Sequence, residues 1–333
     1  MSKISVLGAG AWGLALSLSA HKSGHEVTVW SPFEEEVNSL SLHRESTRLL
    51  PGVKLPQNLA ITTDLSAVEG SDITVIATPS FAVRETAKRL REVNNCGIVV
   101  NVAKGIEYST LYTLAEVIAE ELPEREIVVL SGPSHAEEVS REVETSLVAT
   151  SHSRQAAEAV QKAFSSDKLR VYTNEDVLGV ELGGAFKNII AIAAGICDGL
   201  ELGDNSRAAL ITRGLTEIAR LGVKMGAREK TFAGLTGMGD LIVTCTSRHS
   251  RNHRFGELLG KGIPVKEALE MVGTVEGYYA AAAAYKLKEK YSTELPIVEQ
   301  SYKVMYENKP VTDAVRALMT RPSCSEVDDN WLN

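Results

Sequence analysis

The chain has 333 residues, with 35 Lys and Arg against 43 Asp and Glu, and a formal net charge of −8. That acidity argues against nucleic acid or an anionic membrane as a general partner. With 44% hydrophobic and 23% charged residues, disordered, collagen-like and coiled-coil chains are excluded as well. At this length two domains are expected, with room for a large core. The four cysteines, Cys96, Cys197, Cys245 and Cys324, lie far apart with no C-x-x-C pair, which suits a reducing cytosol. Glycines 8, 10 and 13 interrupt the N-terminal apolar run, so no signal peptide is expected. The longest apolar stretch, 182–197, is broken by Lys187 and Asn188 and falls short of the roughly 18 charge-free residues of a membrane span. The expectation is a cytoplasmic protein without stable membrane insertion.

In chain order, short β-rich runs alternate with helical patterns. Strands are expected at 4–7, 26–30, 59–62, 72–78, 98–103, 127–131 and 146–150, with helices between several of them, for example 11–23, 80–91 and 111–121. Near-continuous apolar strands separated by helices indicate a parallel sheet covered on both faces, hence a doubly wound, Rossmann-type α/β domain. After an edge strand at 169–172 the β-rich runs cease. Long Ala-, Leu- and Glu-rich segments follow at 175–197, 206–225, 265–271, 275–291 and 296–307, with Gly- and Ser-rich turns near 234–239 and 246–250. The division predicted is a dinucleotide-binding domain at 1–174 and an all-helical substrate and catalytic domain at 175–333. The tail, 321–333, is polar and expected to fray.

The sequence GAGAWG from Gly8 follows the first strand and opens the first helix. Gly8 permits the tight turn, Gly10 lets a pyrophosphate approach the backbone, and Gly13 lets helix and strand pack closely. The helix start offers free N–H groups and the positive end of its dipole to the phosphates. Just after the second strand the chain reads Trp30-Ser-Pro-Phe-Glu34, with no arginine before Arg44. Without a cation for a 2′-phosphate, NAD(H) is favoured over NADP(H). Glu34 is a candidate for the ribose, with a solvated helix-start glutamate as the plainer reading.

Lys104 follows the strand at 98–103, and Gly132 and Ser134 follow the strand at 127–131, so both groups sit where ligands bind in an open α/β sheet. Lys187 and Asn188 are the only polar side chains between Leu182 and Ile196. A helix apolar all round is buried, and burial lowers a lysine's pKa toward the range useful for general acid/base work. Gly183, Gly184, Ala191, Ala194 and Gly195 are read as leaving space for a substrate beside that lysine; the plainer reading is a lysine snorkelling to the surface. Asp240, after a glycine-dense segment, is a candidate to orient Lys187 or else a helix N-cap. Arg248, Arg251 and Arg254 fall within seven residues, and guanidinium forks suit a phosphorylated small molecule. His249 and His253 have i,i+4 spacing but no third ligand nearby, so no metal is expected.

Together these segments resemble the bacterial NAD(P)-dependent sn-glycerol-3-phosphate dehydrogenase family. The resemblance spans almost the whole chain and is carried by GAGAWG at Gly8, KGIE at Lys104, SGPSHAEE at Ser131, GAFKNIIAIAAG at Gly184, GLTGMGDLIVTCTS at Gly234, SRNHRFG at Ser250 and VEGYYAA at Val275. It implies reversible reduction of dihydroxyacetone phosphate to sn-glycerol 3-phosphate for phospholipid synthesis, in a homodimer, with Lys187 as proton acceptor in the oxidation direction. It further implies that Lys104, Gly132, Ser134, Asp240, Ser250, Arg251 and Asn252 contact the substrate, and that Ala11, Trp12, Lys104, Ala136, Arg251 and Glu276 touch the cofactor. The chain departs from the family near Pro32, where an Arg or His is frequent, and at Leu49, where a Tyr is frequent. Both departures weaken the case for NADPH. Two alternatives stay open at this stage: a 3-hydroxyacid or ketopantoate-type reductase, and a sensor that binds NAD(H) without turnover.

Overall fold

The computed structural model describes residues 1–93, 97–323 and 325–326. Cys96, Cys324 and residues 327–333 of the predicted tail lie outside them. Eight strands, β1 (Lys3–Leu7), β2 (Glu26–Trp30), β3 (Ala60–Thr62), β4 (Ile73–Ile76), β5 (Ile98–Asn101), β6 (Ile127–Ser131), β7 (Thr145–Thr150) and β8 (Leu169–Asn174), form one sheet in the order β3-β2-β1-β4-β5-β6-β7-β8. Around it lie α1 (Ala11–Lys22), α2 (Glu34–His43), α3 (Val83–Arg91), α4 (Leu114–Glu121), α5 (Ala136–Val139) and α6 (Arg154–Phe164). Successive residues of a strand serve opposite faces. Ile4, Val6, Val29, Val75 and Val100 join one apolar cluster, while Leu7, Trp30, Ile76 and Val99 join another. The helices supply the matching stripes: α3 buries Val83, Thr86, Ala87 and Leu90, and α6 buries Ala156, Ala157, Val160, Ala163 and Phe164.

The sheet is mixed rather than wholly parallel as expected, because β7 runs antiparallel to β6. After β6 the chain turns at Gly132 and returns through the single-turn α5, so no crossover is made; an antiparallel neighbour needs none. The helix α6 then restores a parallel β7–β8 pair. An apolar run of five or six residues does not encode its own direction, which is why the reversal was missed.

Beyond β8 the described residues hold helices alone: α7 (Val177–Gly199), α8 (Gly203–Met225), α9 (Glu229–Phe232), α10 (Asp240–Thr246), α11 (Arg251–Gly260), α12 (Val265–Val272), α13 (Glu276–Lys290), α14 (Pro296–Tyr306) and α15 (Val311–Met319). A five-residue π-helical turn, Leu235–Gly239, leads into α10, replacing part of the predicted turn. The segment from Ser250, predicted to carry a phosphate site but no helix, begins α11, with the Ser250 hydroxyl accepting from His253 N at 3.2 Å as its N-cap. The central helix α7 is capped by Asp176 and is long and apolar enough to cross a membrane, yet 89% of that stretch is buried among the other helices.

Gly183 and Gly195 of α7 do not leave the space the sequence suggested, whereas Gly184 faces the side chains of Ser131 and Lys104. A Cβ on Gly195 would lie 2.0 Å from the His253 carbonyl oxygen, and one on Gly183 would lie 2.6 Å from that of Thr236. On α11, Gly256 answers with an equally close approach to Ile192 O, at 1.9 Å. These residues are small so that helix backbones can touch, not so that a ligand can enter.

Candidate active site

The glycine turn stands at the carboxyl end of β1. Gly8 has φ +124°, and a side chain there would meet the Ala77 carbonyl oxygen at 2.7 Å. A Cβ on Gly13 would sit 2.1 Å from Gly8 O, so helix and turn pack without a gap. Gly10 differs: no atom lies within 4 Å of its Cβ position. No side chain caps α1, and Ala11 and half-buried Trp12 form its first turn. An open backbone face below an uncapped helix start fits the pyrophosphate of a dinucleotide. Past β2, Glu34 is exposed on α2, whereas the carboxylate of Glu36 reaches back to accept from Ser31 Oγ at 2.5 Å.

Two lysines share one carboxylate at the next station along the sheet. Lys104 leaves the end of β5 and donates to Gly132 O (2.9 Å), Ser134 Oγ (3.3 Å) and Asp240 Oδ2 (2.7 Å). Lys187 comes from α7 and donates to Asp240 Oδ1 and to Thr244 Oγ1, the latter at 2.7 Å. Asp240 is the first residue of α10 rather than its N-cap, and one helical turn on, Thr244 Oγ1 also donates back to Asp240 O at 2.6 Å. The Asp240-x-x-x-Thr244 spacing, which puts both side chains on one helix face, is the signal by which Thr244 could have been found.

Lys187 is 6% exposed, so it does not snorkel. Burial pushes it down to about 7, aided by the neighbouring Lys104 ammonium and opposed by Asp240. Burial also acts on Asp240 in the unfavourable direction, but the two ammonium groups outweigh it and hold the carboxyl below its usual range. With both lysines protonated the trio carries one uncompensated positive charge. Such a group either releases a proton readily or attracts an anion.

Around this trio two polar atoms are buried without a partner, Ser131 Oγ and His135 Nε2. The oxygen of Ser131 faces Gly184 on α7, 3.1 Å from where a Cβ would be. Burial and then the charge of Lys187 lower the His135 pKa. Buried polar groups are normally satisfied, so each of these two atoms has hydrogen-bonding capacity left for a ligand. Neither was singled out in the sequence.

The remaining candidates take different roles in the structure. Asn188 Oδ1 accepts from Asn252 Nδ2, and Asn252 Oδ1 accepts from Gly277 N, each at 2.9 Å, so the Asn252 amide ties α7 to α13. Glu276 accepts from Ser80 N (3.2 Å) and Ser80 Oγ (2.5 Å), joining the helical part to the loop after β4. Arg251, first residue of α11, is exposed; burial raises the Glu276 pKa, and the bonds from Ser80 and the charge of Arg251 oppose that rise. Ala136 opens α5 and is buried. Of the two i,i+4 histidines, His253 bonds Asp198 at 2.9 Å and His249 faces the His135 ring.

Residues 3–157 match the family model for the NAD-dependent glycerol-3-phosphate dehydrogenase N-terminus, and residues 176–316 match that for the C-terminus. The chain is 50% identical over 331 residues to a glycerol-3-phosphate dehydrogenase [NAD(P)+] of Desulfitobacterium hafniense, covering 99% of this chain and 94% of that one. It is 48% identical to the Fusobacterium nucleatum enzyme of the same name, over 99% of this chain and 100% of that one. A crystal structure of glycerol-3-phosphate dehydrogenase from Coxiella burnetii superposes with a TM-score of 0.93 at 39% identity, covering 96% of this chain and 99% of that one.

Proposed function

The chain belongs to the NAD-dependent glycerol-3-phosphate dehydrogenase family, and from that premise we propose that Lys187 exchanges the proton on the C2 oxygen of the three-carbon substrate. The chain is an NAD(P)-dependent glycerol-3-phosphate dehydrogenase, and that family membership sets aside both the 3-hydroxyacid or ketopantoate-type reductase and the sensor without turnover. The observation that carries the role of Lys187 is its burial beside a carboxylate it shares with Lys104, at the carboxyl ends of β5 and β6.

The Gly8, Gly10 and Gly13 turn, with the backbone N–H groups of Ala11 and Trp12 at the uncapped start of α1 and with Ala136 and Glu276, would hold a nicotinamide dinucleotide, which would supply the hydride exchanged with C2 of dihydroxyacetone phosphate. In the reducing direction the Lys187 ammonium gives its proton to the oxygen at C2 as negative charge develops there, leaving a neutral amine and sn-glycerol 3-phosphate. In the oxidising direction the amine takes that proton back. Asp240 and Thr244 hold the nitrogen in place, while Lys104, with Gly132 and Ser134, holds the substrate's oxygens. Arg251, at the start of α11 with Ser250 and Asn252, receives the phosphate. The excess positive charge of the cluster supports an anionic substrate in an acidic protein.

The same reading divides the chain at 1–174 and 175–333, the change from mixed α/β to helical elements between β8 and α7 being its support. Resemblance supports a cytoplasmic homodimer that supplies glycerol phosphate for phospholipid synthesis. The test is the loss of NADH absorbance with dihydroxyacetone phosphate against dihydroxyacetone. Turnover should require the phosphate, and equal rates would remove it from the substrate. Reduction needs protonated Lys187, so its kcat/KM should fall about tenfold per pH unit above about 7. Oxidation needs the amine and should rise toward the same pH and level off.

A further inference from the structure

The cation-poor segment after β2 carries a buried serine bonded to a carboxylate of α2. Ser31 is the first residue beyond β2, beside the glycine turn: Gly8 N donates to Trp30 O at 2.8 Å, and Ser31 N donates to Thr62 O at 3.1 Å. Its side chain is buried, accepts from Phe33 N at 3.3 Å and donates to Glu36 Oε2 at 2.5 Å. Glu34, Glu35 and Glu36 all occupy the first turn of α2, but only Glu36 is drawn back and partly buried at the strand end. It stands 23 positions after Gly13, near the roughly 20-residue spacing at which an acid reads the ribose in dinucleotide folds. Arg44, the first arginine in the chain, is committed to the carbonyls of Pro56 and Leu59 at 3.3 and 2.8 Å.

We propose that Glu36, positioned by Ser31, selects NADH over NADPH by accepting hydrogen bonds from the adenosine ribose hydroxyls. With Oε2 held by Ser31, Oε1 is left to take the 2′-hydroxyl. A phosphate on that oxygen could donate nothing to the carboxylate and would bring close to two negative charges against it and its two neighbours on α2. The inference rests on the reading that a dinucleotide binds at the glycine turn, and it names the residue that reads its far end.

Calorimetric titration of the full chain with NADH, NADPH, ADP and 2′,5′-ADP tests it without relying on turnover. Wild type should bind NADH at least about tenfold more tightly than NADPH, with ADP preferred over 2′,5′-ADP in the same sense. Glu36→Gln should weaken NADH by about tenfold and narrow the ratio, and Ser31→Ala should shift it less in the same direction. Unchanged melting temperatures would show that α2 remains folded. NADPH binding as tightly as NADH, through Arg48 or another cation, would overturn the proposal. So would variants that weaken both dinucleotides equally, since Glu36 would then be only a tether for α2. Should wild type bind neither dinucleotide, the reading of the glycine turn fails, and this proposal with it.

Discussion

A side chain added at Gly10 would project into open space, whereas one at Gly195 would lie 2.0 Å from the carbonyl oxygen of His253. Both glycines belong to segments that resemble the same family, and both read in sequence as room for a ligand. At the start of α1 the room is real, because the helix has no cap and its N–H groups face outward. At Gly195 of α7 the missing side chain is replaced by the backbone of α11, and Gly256 of α11 meets the α7 backbone as closely in return. The proposed phosphate-binding region is therefore shaped by backbone, and the proposed catalytic region by side chains from β5, α7 and α10, set in a packed helical core.

The sharpest way to break this contrast is at the side chain that the second region exists to bury. Lys187→Ala should lower kcat by about 10²–10⁴-fold while leaving NADH affinity near wild type, since the cofactor is held by the other region. Retained kcat in steady-state assays would show that the buried trio is structural. Gly195→Ala should destabilise the fold by about 3 kcal/mol, because rigid backbone rather than a flexible side chain opposes the new methyl. A urea midpoint equal to wild type would mean that α7 and α11 can separate at little cost.

Gly10→Ala is the matched experiment. Its φ of −65° suits alanine, so stability should change by less than about 0.5 kcal/mol, while NADH binding weakens about tenfold. Loss of stability with unchanged binding would reverse the roles assigned to the two glycines.

A smaller effect should come from a buried acid far from the chemistry. Glu217 of α8 accepts from Ile297 N (2.8 Å) and Val298 N (3.2 Å) at the start of α14, and burial pushes it up from 4.5 to about 7. Its folded pKa exceeds its unfolded one, so the stability linked to its proton is full below about 4.5 and lost as pH rises through 7. Relative to Glu217→Gln, wild type should lose on the order of 2 kcal/mol between pH 5 and 8. Parallel stability curves for the two proteins would show that the carboxyl does not hold the extra proton.

Much of the first region was legible because its signals are local. The runs at 26–30 and 127–131 coincide with β2 and β6, since strands buried on both faces must be apolar at every position. The glycine turn was legible because its backbone shape leaves few residue choices. By contrast, α11 was missed although Ser250 is a good N-cap. Its short apolar stripe, Phe255 and Leu259, is interleaved with glycines that serve contacts to α7. The Ser31–Glu36 bond escaped notice for a related reason: the acid nearest the strand end in sequence, Glu34, is not the one that folds back onto it.

The sequence by itself determined the alternating α/β half, the helical half, the glycine turn after β1 and the presence of one lysine on a helix that had to be buried. These follow from patterns within a few residues, where period, glycine placement and hydrophobicity act directly. Only the tertiary structure decided that β7 turns back along β6, that backbone fills the space at Gly183 and Gly195 of α7, and that Lys187 meets Asp240, Lys104 and Thr244. Residues 104 and 240 are separated by 136 positions, and no local pattern states that one carboxylate will face two ammonium groups. Close packing brings them together, and desolvation then places Lys187 near 7.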